Sequence, residues 1–414
     1  MKFTLSWLRD HLDTDLGVED LAEAMTMAGL EIEDIDNPAA KLAAFTVAHV
    51  KTAEPHPDAD RLRVCTVDTV DGDKQIVCGA PNARAGMTAI YAPLGTYIPG
   101  LDFALDKKPR KIRGVESSGM LCSTKEIEAG EDHDGIADLE GDWPVGTPAA
   151  KALGLDDPVI DFEVTPNRPD WLGVYGIARD LAAAGAGTLK AGSIKAIEGE
   201  HPCPVRIEID WPEACPVFAG RVITGVKNGP SPDWLQKRLK AIGINPKTLL
   251  VDVTNYVAFD RAKPLHVYDR SLIGDVLRAR RGGGDNDAFE ALDGVIRAPA
   301  HHHCVIADDE RCHGFGGVMG GQHSGCTEAT TEVFIESAWF DPAITRVTAR
   351  ETGIESDAKY RFERGVDPES VLDGLHLATA LILEYGGGTA SDVAVSGAAP
   401  ARPAPIAFEP ARAA

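Results

Sequence analysis

Residues 45–92 alternate between short apolar stretches and turn-forming residues, a pattern typical of a module built from β-strands. The stretches are rich in β-branched and aromatic residues, and Pro, Asp, Asn and Gly separate them. In chain order they are FTVAHV (45–50), LRVCTVD (62–68), QIVC (75–78) and MTAIYA (87–92). Short strands joined by turns favour a small closed barrel. Five such strands in Greek-key order would form an OB-fold, whose strands and loops often hold oligonucleotides.

The first forty residues contain a helical pattern. A helix over residues 18–28 would place Leu21 and Met25 on one face, with acidic residues near its positive amino-terminal end. Gly29 follows at the position that often ends a helix. The preceding segment, MKFTLSWL, predicts a short strand or turn that leads into another helix.

Later segments carry further strand and helix signals. Residues 160–164 alternate like a half-buried strand, and residues 172–184 have a helical pattern. Ser231 as N-cap, Pro232 at the first helical position and Gly243 beyond the last turn predict a helix between them. The chain therefore mixes helices and strands after the β-rich module.

The composition is that of an ordinary soluble protein with several domains. A length of 414 residues suggests about three domains. A net charge of −23 repels phosphates over most of the surface, so any contact with RNA must be local, and DNA is not an expected partner. No run approaches the roughly 18 apolar residues of a membrane helix. The eight cysteines lack Cys-x-x-Cys pairs and a secretory signal, which predicts reduced thiols and a cytoplasmic location.

A basic cluster precedes a turn of small residues. Its five cations fall within seven residues, with no acid among them: Lys107, Lys108, Arg110, Lys111 and Arg113. Ser117 and Ser118 follow, and small residues in a tight turn can direct backbone N–H groups and hydroxyls at a phosphate. The alternative is a solvated basic loop followed by an ordinary turn.

Residues 301–323 concentrate five histidines and two cysteines, which raises the question of a metal site. Zinc sites favour ligand pairs at fixed short spacing, and these residues are scattered. We expect surface imidazoles and buried structural thiols here, and no bound metal.

The motifs of the β-rich module resemble a known tRNA-binding domain. They are HPDAD (56–60), CGAPN (78–82) and RGVESSGMLCS (113–123). In order and spacing they are similar to the OB-type domain of tRNA-binding cofactors and of the β subunits of bacterial phenylalanyl-tRNA synthetases. This resemblance turns the basic cluster and the two serines into expected tRNA contacts.

The rest of the chain resembles the amino-terminal half of the same synthetase subunits. KFTLSWL (2–8), MTMAGLEIEDID (25–36) and VTPNRPDWLGVYGIARDLA (164–182) are similar to the two halves of their first domain. Four segments are similar to their editing domain: VDVTNYVAFDRAKPLHVYD (251–269), GFGGVMGG (314–321), VFIESAWFDP (333–342) and ESDAKYRFERGVDP (355–368).

The resemblance implies an α+β multidomain fold with an inserted barrel. A small α/β domain comprises residues 1–39 and 151–195, and the OB-type tRNA-binding domain, residues 40–150, is inserted into it. A linker leads to an α/β editing domain at residues 200–398. Residues 399–414 resemble the start of a further domain, so we expect a truncated chain.

The resemblance also assigns a site that removes tyrosine mischarged onto tRNA(Phe). A pocket for phenylalanine cannot strongly reject a ring that carries one extra hydroxyl, so a second site must read that hydroxyl. Glu336 is the expected reader, with His266 and Asn255 beside it. His266 either orients the ester or activates water, and we favour orientation. The expected substrate-binding positions are Thr254, Gly317, Gly320, Ser356 and Ala358.

Hydrolysis would use water directly, because no Ser-His-Asp or Cys-His pattern is convincing. The expected partners are tRNA(Phe) and the synthetase α subunit in a heterotetramer. ATP and magnesium are expected only for the full α/β enzyme, so this chain alone should bind no cofactor and should not aminoacylate tRNA. The alternatives are a non-catalytic scaffold that binds tRNA and docks the α subunit, and, less favoured, a free-standing tRNA chaperone.

Overall fold

A computed structural model describes residues 1–402 and 404–412. The chain divides into two compact units. Unit 1 contains residues 1–33 and the described residues from 161 onwards, and unit 2 contains residues 34–160. The sequence-based domain boundaries, which divide the chain more finely, stay predictions. The predicted start of a further domain, residues 399–414, lies partly outside the described residues.

The chain begins with short elements whose ends follow from their sequence. They are β1 (Lys2–Thr4), α1 (Leu5–His11), β2 (Leu12–Asp13), α2 (Val18–Ala28) and β3 (Glu31–Asp36). The predicted helix over residues 18–28 is confirmed. Gly29 ends it in the left-handed conformation at φ 99°, which glycine adopts without a steric penalty. Thr4 caps α1, since its hydroxyl accepts the N–H of Trp7.

Unit 2 is built mainly from strands. Its elements are α3 (Pro38–Lys41), β4 (Thr46–His56), β5 (Ala59–Thr69), β6 (Gly72–Cys78), β7 (Thr88–Ala92), β8 (Tyr97–Ile98), β9 (Phe103–Ala104), β10 (Arg110–Ile112), β11 (Val115–Ser117), β12 (Met120–Cys122) and α4 (Ala149–Ala152). The main sheet has the order β12-β7-β4-β5-β6. No strand ladder joins β6 to β12 within the described residues, so the predicted closed barrel is not found.

The core of unit 2 explains why β7 is apolar from Ala89 to Ala92. Ala89 and Tyr91 pack in one buried cluster, while Ile90 and Ala92 pack in another. Successive side chains of a strand point to opposite faces, so β7 is covered on both sides.

The chain returns from unit 2 to unit 1 at residue 161. Its elements are β13 (Val159–Glu163), α5 (Val174–Ala183), β14 (Thr188–Leu189), β15 (Arg206–Ile209), β16 (Val217–Thr224), α6 (Asp233–Ala241), α7 (Leu249–Arg261), β17 (His266–Asp269), β18 (Val276–Arg281), β19 (Phe289–Glu290), β20 (Ile296–Arg297), β21 (Cys304–Ala307), β22 (Cys312–Phe315), β23 (Met319–Gly320), β24 (Glu332–Trp339), α8 (Pro342–Thr352), α9 (Asp357–Phe362), α10 (Val371–Gly386), β25 (Thr389–Ala390) and β26 (Ala394–Gly397).

Two sheets of unit 1 enclose its main core. One has the order β15-β18-β21-β22-β23, and the other has the order β17-β24-β16-β25, with β26 also paired to β16. Phe218, Tyr268 and Phe334 from the second sheet share a buried cluster with Leu277 and Ile306 from the first. The cluster fixes the faces of β17 and β24 on which the candidate site lies.

Two predicted helix starts differ from the structure. Helix α6 begins at Asp233 with Pro232 as its N-cap residue, because the Ser231 hydroxyl donates instead to Asp252 Oδ2 at 2.6 Å. The pattern over residues 172–184 divides into a short 3-10 turn and α5, separated by extended Gly173. A Cβ atom on Gly173 would lie 2.4 Å from the backbone N of Ala262, so only glycine fits there.

A buried carboxylate connects the beginning of the chain to α7. Asp260 is 1% exposed, and its Oδ1 accepts hydrogen bonds from Trp7 Nε1 at 2.7 Å and His11 Nε2 at 2.6 Å. Its Oδ2 accepts one from Arg261 at 2.8 Å. Burying a charge is tolerated when it is paired and hydrogen-bonded in this way. Within the described residues, no helix is long and apolar enough to cross a membrane.

Candidate active site

The register of β17 and β24 places the two leading candidates next to each other. His266 lies directly opposite Glu336, and Tyr268 lies opposite Phe334. Side chains two residues apart on a strand share a face, so His266 and Tyr268 both flank Glu336. The Tyr268 hydroxyl donates a hydrogen bond to Glu336 Oε2 at 2.6 Å.

Glu336 is held where its protonated form is favoured. The residue is 7% exposed. Burial raises the pKa of its carboxyl from 4.5 to about 7, while the Tyr268 hydrogen bond and the charge of Lys263 act in the opposite direction. The group therefore changes its charge close to neutral pH.

His266 presents an imidazole nitrogen that has no partner. Its Nε2 is fully shielded, and within the described residues it makes no hydrogen bond. Burial, with a smaller contribution from nearby His313, lowers the pKa of His266 to about 4, so the ring is neutral at physiological pH. A shielded polar atom without a partner is unfavourable unless a ligand or water supplies one.

Lys263 brings a second buried titratable group to the same region. It follows Ala262, which ends α7 in the left-handed conformation, and its ammonium donates to the Ala338 carbonyl at 2.5 Å. Burial lowers the pKa of Lys263 to about 7. Gly374 makes room for this side chain, because a Cβ there would lie 2.6 Å from Lys263 Cγ.

The glycine-rich segment at 314–321 is explained by close packing. A Cβ on Gly320 would lie 2.4 Å from His266 Cε1 and 2.6 Å from its Nε2. Gly316 and Gly317 approach the Phe340 ring in the same way, at 2.6 Å and 2.9 Å, and Gly317 also has a positive φ of 74°. Glycine is therefore needed so that the backbone can lie against these rings.

These residues surround a cavity of about 60 Å³. By that measure it has room for roughly four to six waters. Its walls are Pro264, Leu265, His266, Tyr268, Ile306, Gly314, Phe315, Gly317, Val318, Met319, Gly320, Glu336, Phe340, Ala358 and Phe362.

Five predicted site residues line this cavity, namely His266, Glu336, Gly317, Gly320 and Ala358. Ser356 lies behind the wall, where its hydroxyl donates to the Val318 carbonyl at 2.6 Å and accepts the N–H of Lys359 to cap α9.

Thr254 and Asn255 lie on α7 and are not among the described residues that line the cavity. The Thr254 hydroxyl donates to the Val251 carbonyl within the same helix, at 2.8 Å. Their assigned roles stay predictions.

The sequence interpretation omitted Tyr268 and Lys263. Strand alternation offered a signal for Tyr268, because it lies two residues after His266 and must share its face. No comparable signal existed for Lys263. Its burial depends on α10, whose Gly374 leaves the space that the lysine stem occupies.

Unit 2 contains a second candidate surface. A groove of about 700 Å³ has Lys108, Arg110 and Lys125 among its walls, together with the half-exposed ring of Phe103. All five cations of the predicted cluster are exposed on or beside the hairpin of β10 and β11. Arg113 and Gly114 turn this hairpin with positive φ values of 46° and 88°.

The two serines at the end of this hairpin have internal partners. Ser117 is buried, and its hydroxyl accepts the N–H of Val77 at 3.0 Å. The Ser118 N–H donates to the Gln75 carbonyl at 2.8 Å. Both bonds attach the hairpin to β6, so these groups stabilise the fold. Their predicted contact with tRNA stays a prediction.

One group of side chains in the described residues resembles a metal site. The ligand atoms of His302, His303 and Glu351 lie within 4.8 Å of one another. The Ala300 N–H donates to Nδ1 of His303, which leaves the proton of the neutral ring on Nε2. That nitrogen then donates to Glu351 and has no lone pair for a cation. We interpret the group as a hydrogen-bonded cluster.

Two domain families match parts of this chain. Residues 45–148 match the family described as a putative tRNA binding domain, and residues 214–387 match the B3/4 domain. The crystal structure of an N-terminal fragment of the phenylalanyl-tRNA synthetase beta-subunit from Pyrococcus horikoshii covers 57% of this chain and 63% of its own. It is 12% identical with a TM-score of 0.32, values too low to support a conclusion about the fold.

Sequence relatives give the clearer result. A phenylalanine–tRNA ligase beta subunit from Mesorhizobium japonicum is 53% identical over 99% of this chain and 51% of its own length. The corresponding protein of Rhodopseudomonas palustris is 54% identical over 96% of this chain and 49% of its own length. The chain is therefore a homologue of phenylalanine–tRNA ligase beta subunits that carries a tRNA-binding domain and a B3/4 domain, and it spans about half the length of these relatives.

Proposed function

We propose that this chain serves phenylalanine–tRNA ligase by binding tRNA(Phe) and by hydrolysing tyrosine that has been attached to it in error. The observation that carries the proposal is the cavity where a buried carboxylate and an unpartnered imidazole nitrogen meet. Glu336 can accept a phenolic hydroxyl there, and His266 Nε2 is available to a second polar group.

Selectivity for tyrosine over phenylalanine follows from burial. A phenylalanine ring in this cavity would leave Glu336 without the hydrogen bond that a tyrosyl hydroxyl supplies. An unpaired buried polar group costs about 1–3 kcal/mol, and more when it is charged. Sites that hydrogen-bond a substrate hydroxyl reject the analogue lacking it by about 10⁴-fold or more. The arrangement thus supports a site that recognises the phenolic hydroxyl, the one group by which tyrosine differs from phenylalanine.

Direct attack by water is the proposed route of hydrolysis. Burial raises the pKa of Cys304 to about 12 and raises that of Cys215 well above its ordinary value, so neither nearby thiol forms a thiolate at neutral pH. His266 is neutral, and its free nitrogen can orient the ester or the terminal ribose. The water adds to the ester carbonyl, and the tRNA hydroxyl leaves with a proton.

The tRNA would be held by unit 2. Five of its exposed cations lie on or beside one hairpin of a chain whose net charge is strongly negative. A local basic surface attracts the phosphate backbone without making the whole protein a non-specific binder.

The ligase activity belongs to a larger assembly in this proposal. The relatives are named as beta subunits, so we propose an α subunit as the partner that supplies aminoacylation with ATP and magnesium. We propose no cofactor for this chain itself. A cytoplasmic location follows from the proposed role in translation.

Deacylation of purified tyrosyl-tRNA(Phe) by this chain tests the proposal. We expect release of tyrosine and little release of phenylalanine from phenylalanyl-tRNA(Phe). Glu336→Ala should lower tyrosine release at least 100-fold with little loss of tRNA binding, whereas Thr224→Ala, on the neighbouring strand, should retain both. Binding without hydrolysis by the unchanged chain would favour the non-catalytic scaffold, and trapping of an acyl-enzyme would contradict direct water attack.

A further inference from the structure

Tyr268 places a phenolic hydroxyl inside the site from the protein itself. The residue is 2% exposed, and its hydroxyl donates to Glu336 Oε2 at 2.6 Å. Hydrogen bonds from a hydroxyl to a carboxylate are normally 2.5–2.7 Å long and are among the stronger ones in proteins. Both side chains also line the cavity.

The packing of Tyr268 does not depend on this hydroxyl. Its ring lies edge-on to His266 with centroids 4.5 Å apart, and it also contacts the rings of His313 and Phe334. A phenylalanine would fill the same space and keep these contacts. Ring packing therefore does not explain why the residue has a hydroxyl. The hydrogen bond from that hydroxyl to Glu336 requires a separate reason.

We propose that Tyr268 is a positioning residue that fixes the Glu336 carboxylate by one oxygen, so that the other oxygen is presented to the hydroxyl of the bound amino acid. Within the described residues, Oε2 is the only oxygen of Glu336 that receives a hydrogen bond. This inference rests on the proposed function, since it assigns a role within that site.

Tyr268 is distinguished from the other groups that face Glu336. His266 comes from the same strand as Tyr268, and Lys263 comes from the segment after α7. The thiols of Cys215 and Cys304 belong to the buried core cluster and lie close enough to Glu336 to interact with its charge. The His313 ring lies edge-on to Tyr268, with centroids 5.9 Å apart. Of these groups only Tyr268 donates a hydrogen bond to the carboxylate, while Lys263 uses its ammonium on the Ala338 carbonyl.

The hydrogen bond also has a predictable effect on the charge of Glu336. It lowers the pKa of the carboxyl and so opposes burial, which raises that pKa to about 7. Removing the hydroxyl should make Glu336 hold its proton to higher pH. A hydrogen bond to a charged group corresponds to about 1–2 pH units in such a shift.

The test compares Tyr268→Phe with the unchanged chain in deacylation of tyrosyl- and phenylalanyl-tRNA(Phe) across pH 5.5–8.5. We expect the ratio of tyrosine to phenylalanine release to fall about tenfold at pH 7. The acidic limb of the tyrosine profile should move up by about 1–2 pH units. Tyr360→Phe removes the same atom from a tyrosine outside the cavity and should leave both readouts unchanged.

A double variant shows whether Tyr268 acts through Glu336. In a Glu336→Gln background, Tyr268→Phe should add almost no further change in the tyrosine-to-phenylalanine ratio, because residues that act as one unit are not additive. Full additivity, or an unchanged profile for Tyr268→Phe, would overturn the proposal.

A direct titration separates this inference from the proposed function. The Glu336 carboxyl can be followed by ¹³C NMR in the unchanged chain and in Tyr268→Phe, without any substrate. An upward shift supports the positioning role even if the chain deacylates nothing, which would reject only the proposed function. Active deacylation with an unshifted carboxyl would reject the positioning role alone.

Discussion

Glu336 links the charge state of the site to the stability of unit 1. Its pKa is about 7 in the folded protein and 4.5 for the exposed acid, so the folded chain binds the proton more tightly than the unfolded chain. Its contribution to stability is complete below about pH 4.5 and is lost as the pH rises through 7.

Glu336→Gln should remove this pH dependence. Between pH 5 and pH 8 the free energy of unfolding of the unchanged chain should fall relative to the variant, by up to about 3 kcal/mol over the full shift. Urea unfolding at both pH values measures the difference. Parallel behaviour of the two proteins would show that the carboxyl does not titrate near neutral pH.

Single residues were predicted from sequence to different extents. His266, Glu336 and Ala358 were identified from motifs, and the structure brings them to one cavity. The same motifs suggested Thr254 and Asn255, which lie on α7 and are not among the described residues that line it. Tyr268 was missed because strand alternation gives its face but not the partner of its hydroxyl. Lys263 was missed because its burial depends on the distant helix α10.

At the scale of elements, the glycine-rich segment controls the position of the His266 ring. Gly320→Ala would place a methyl group 2.4 Å from His266 Cε1, so the ring must move. We expect tyrosyl-tRNA deacylation to fall at least tenfold, with a smaller effect on tRNA binding.

Gly229→Ala is the matched control, because its added methyl group meets no atom within 4 Å. Equal loss of deacylation in both variants would indicate a general effect of glycine replacement. Retained activity in Gly320→Ala would show that the site does not depend on the ring position described here.

The hairpin of β10 and β11 should contribute to tRNA affinity through its exposed cations. Lys111→Glu combined with Arg113→Glu should weaken binding by at least tenfold in low salt and should reduce the dependence of affinity on salt concentration. Filter binding at several salt concentrations checks both. Lys41→Glu combined with Lys151→Glu makes the same change of charge at exposed positions elsewhere in unit 2 and should have a smaller effect. Equal losses would argue for net charge alone.

Elements were predicted more reliably where local chemistry decides them. The helix over residues 18–28 has its apolar face and its terminal glycine in the sequence, and both ends agree with the structure. The Ser231 cap was wrong because a tertiary partner, Asp252, takes its hydroxyl. Strand patterns indicated the β-rich module correctly, but they do not specify which edges pair, and the closed barrel is not found among the described residues.

At the scale of the molecule, the buried network around Asp260 should dominate the stability of unit 1. Combining Trp7→Phe with His11→Leu keeps much of the apolar packing but removes two donors from the buried carboxylate. We expect the free energy of unfolding to fall by about 3–5 kcal/mol, because a buried charge is left poorly paired.

Thermal or urea unfolding of the double variant measures this loss. Arg9→Gln alters an exposed position of the same helix and should change stability by no more than about 0.5 kcal/mol. A similar small change in the double variant would mean that Asp260 finds water or other donors once Trp7 and His11 are replaced.

The same network has a consequence for synthesis on the ribosome. His11 and Asp260 are 249 residues apart in the chain. At about 5–20 residues per second, the first helix emerges roughly 12–50 s before its buried partner exists. Unit 2, residues 34–160, is completed within that interval and should therefore fold before unit 1. Until α5 and α7 have been made, the apolar side of the first helix lacks its packing partners and offers a binding surface to a chaperone.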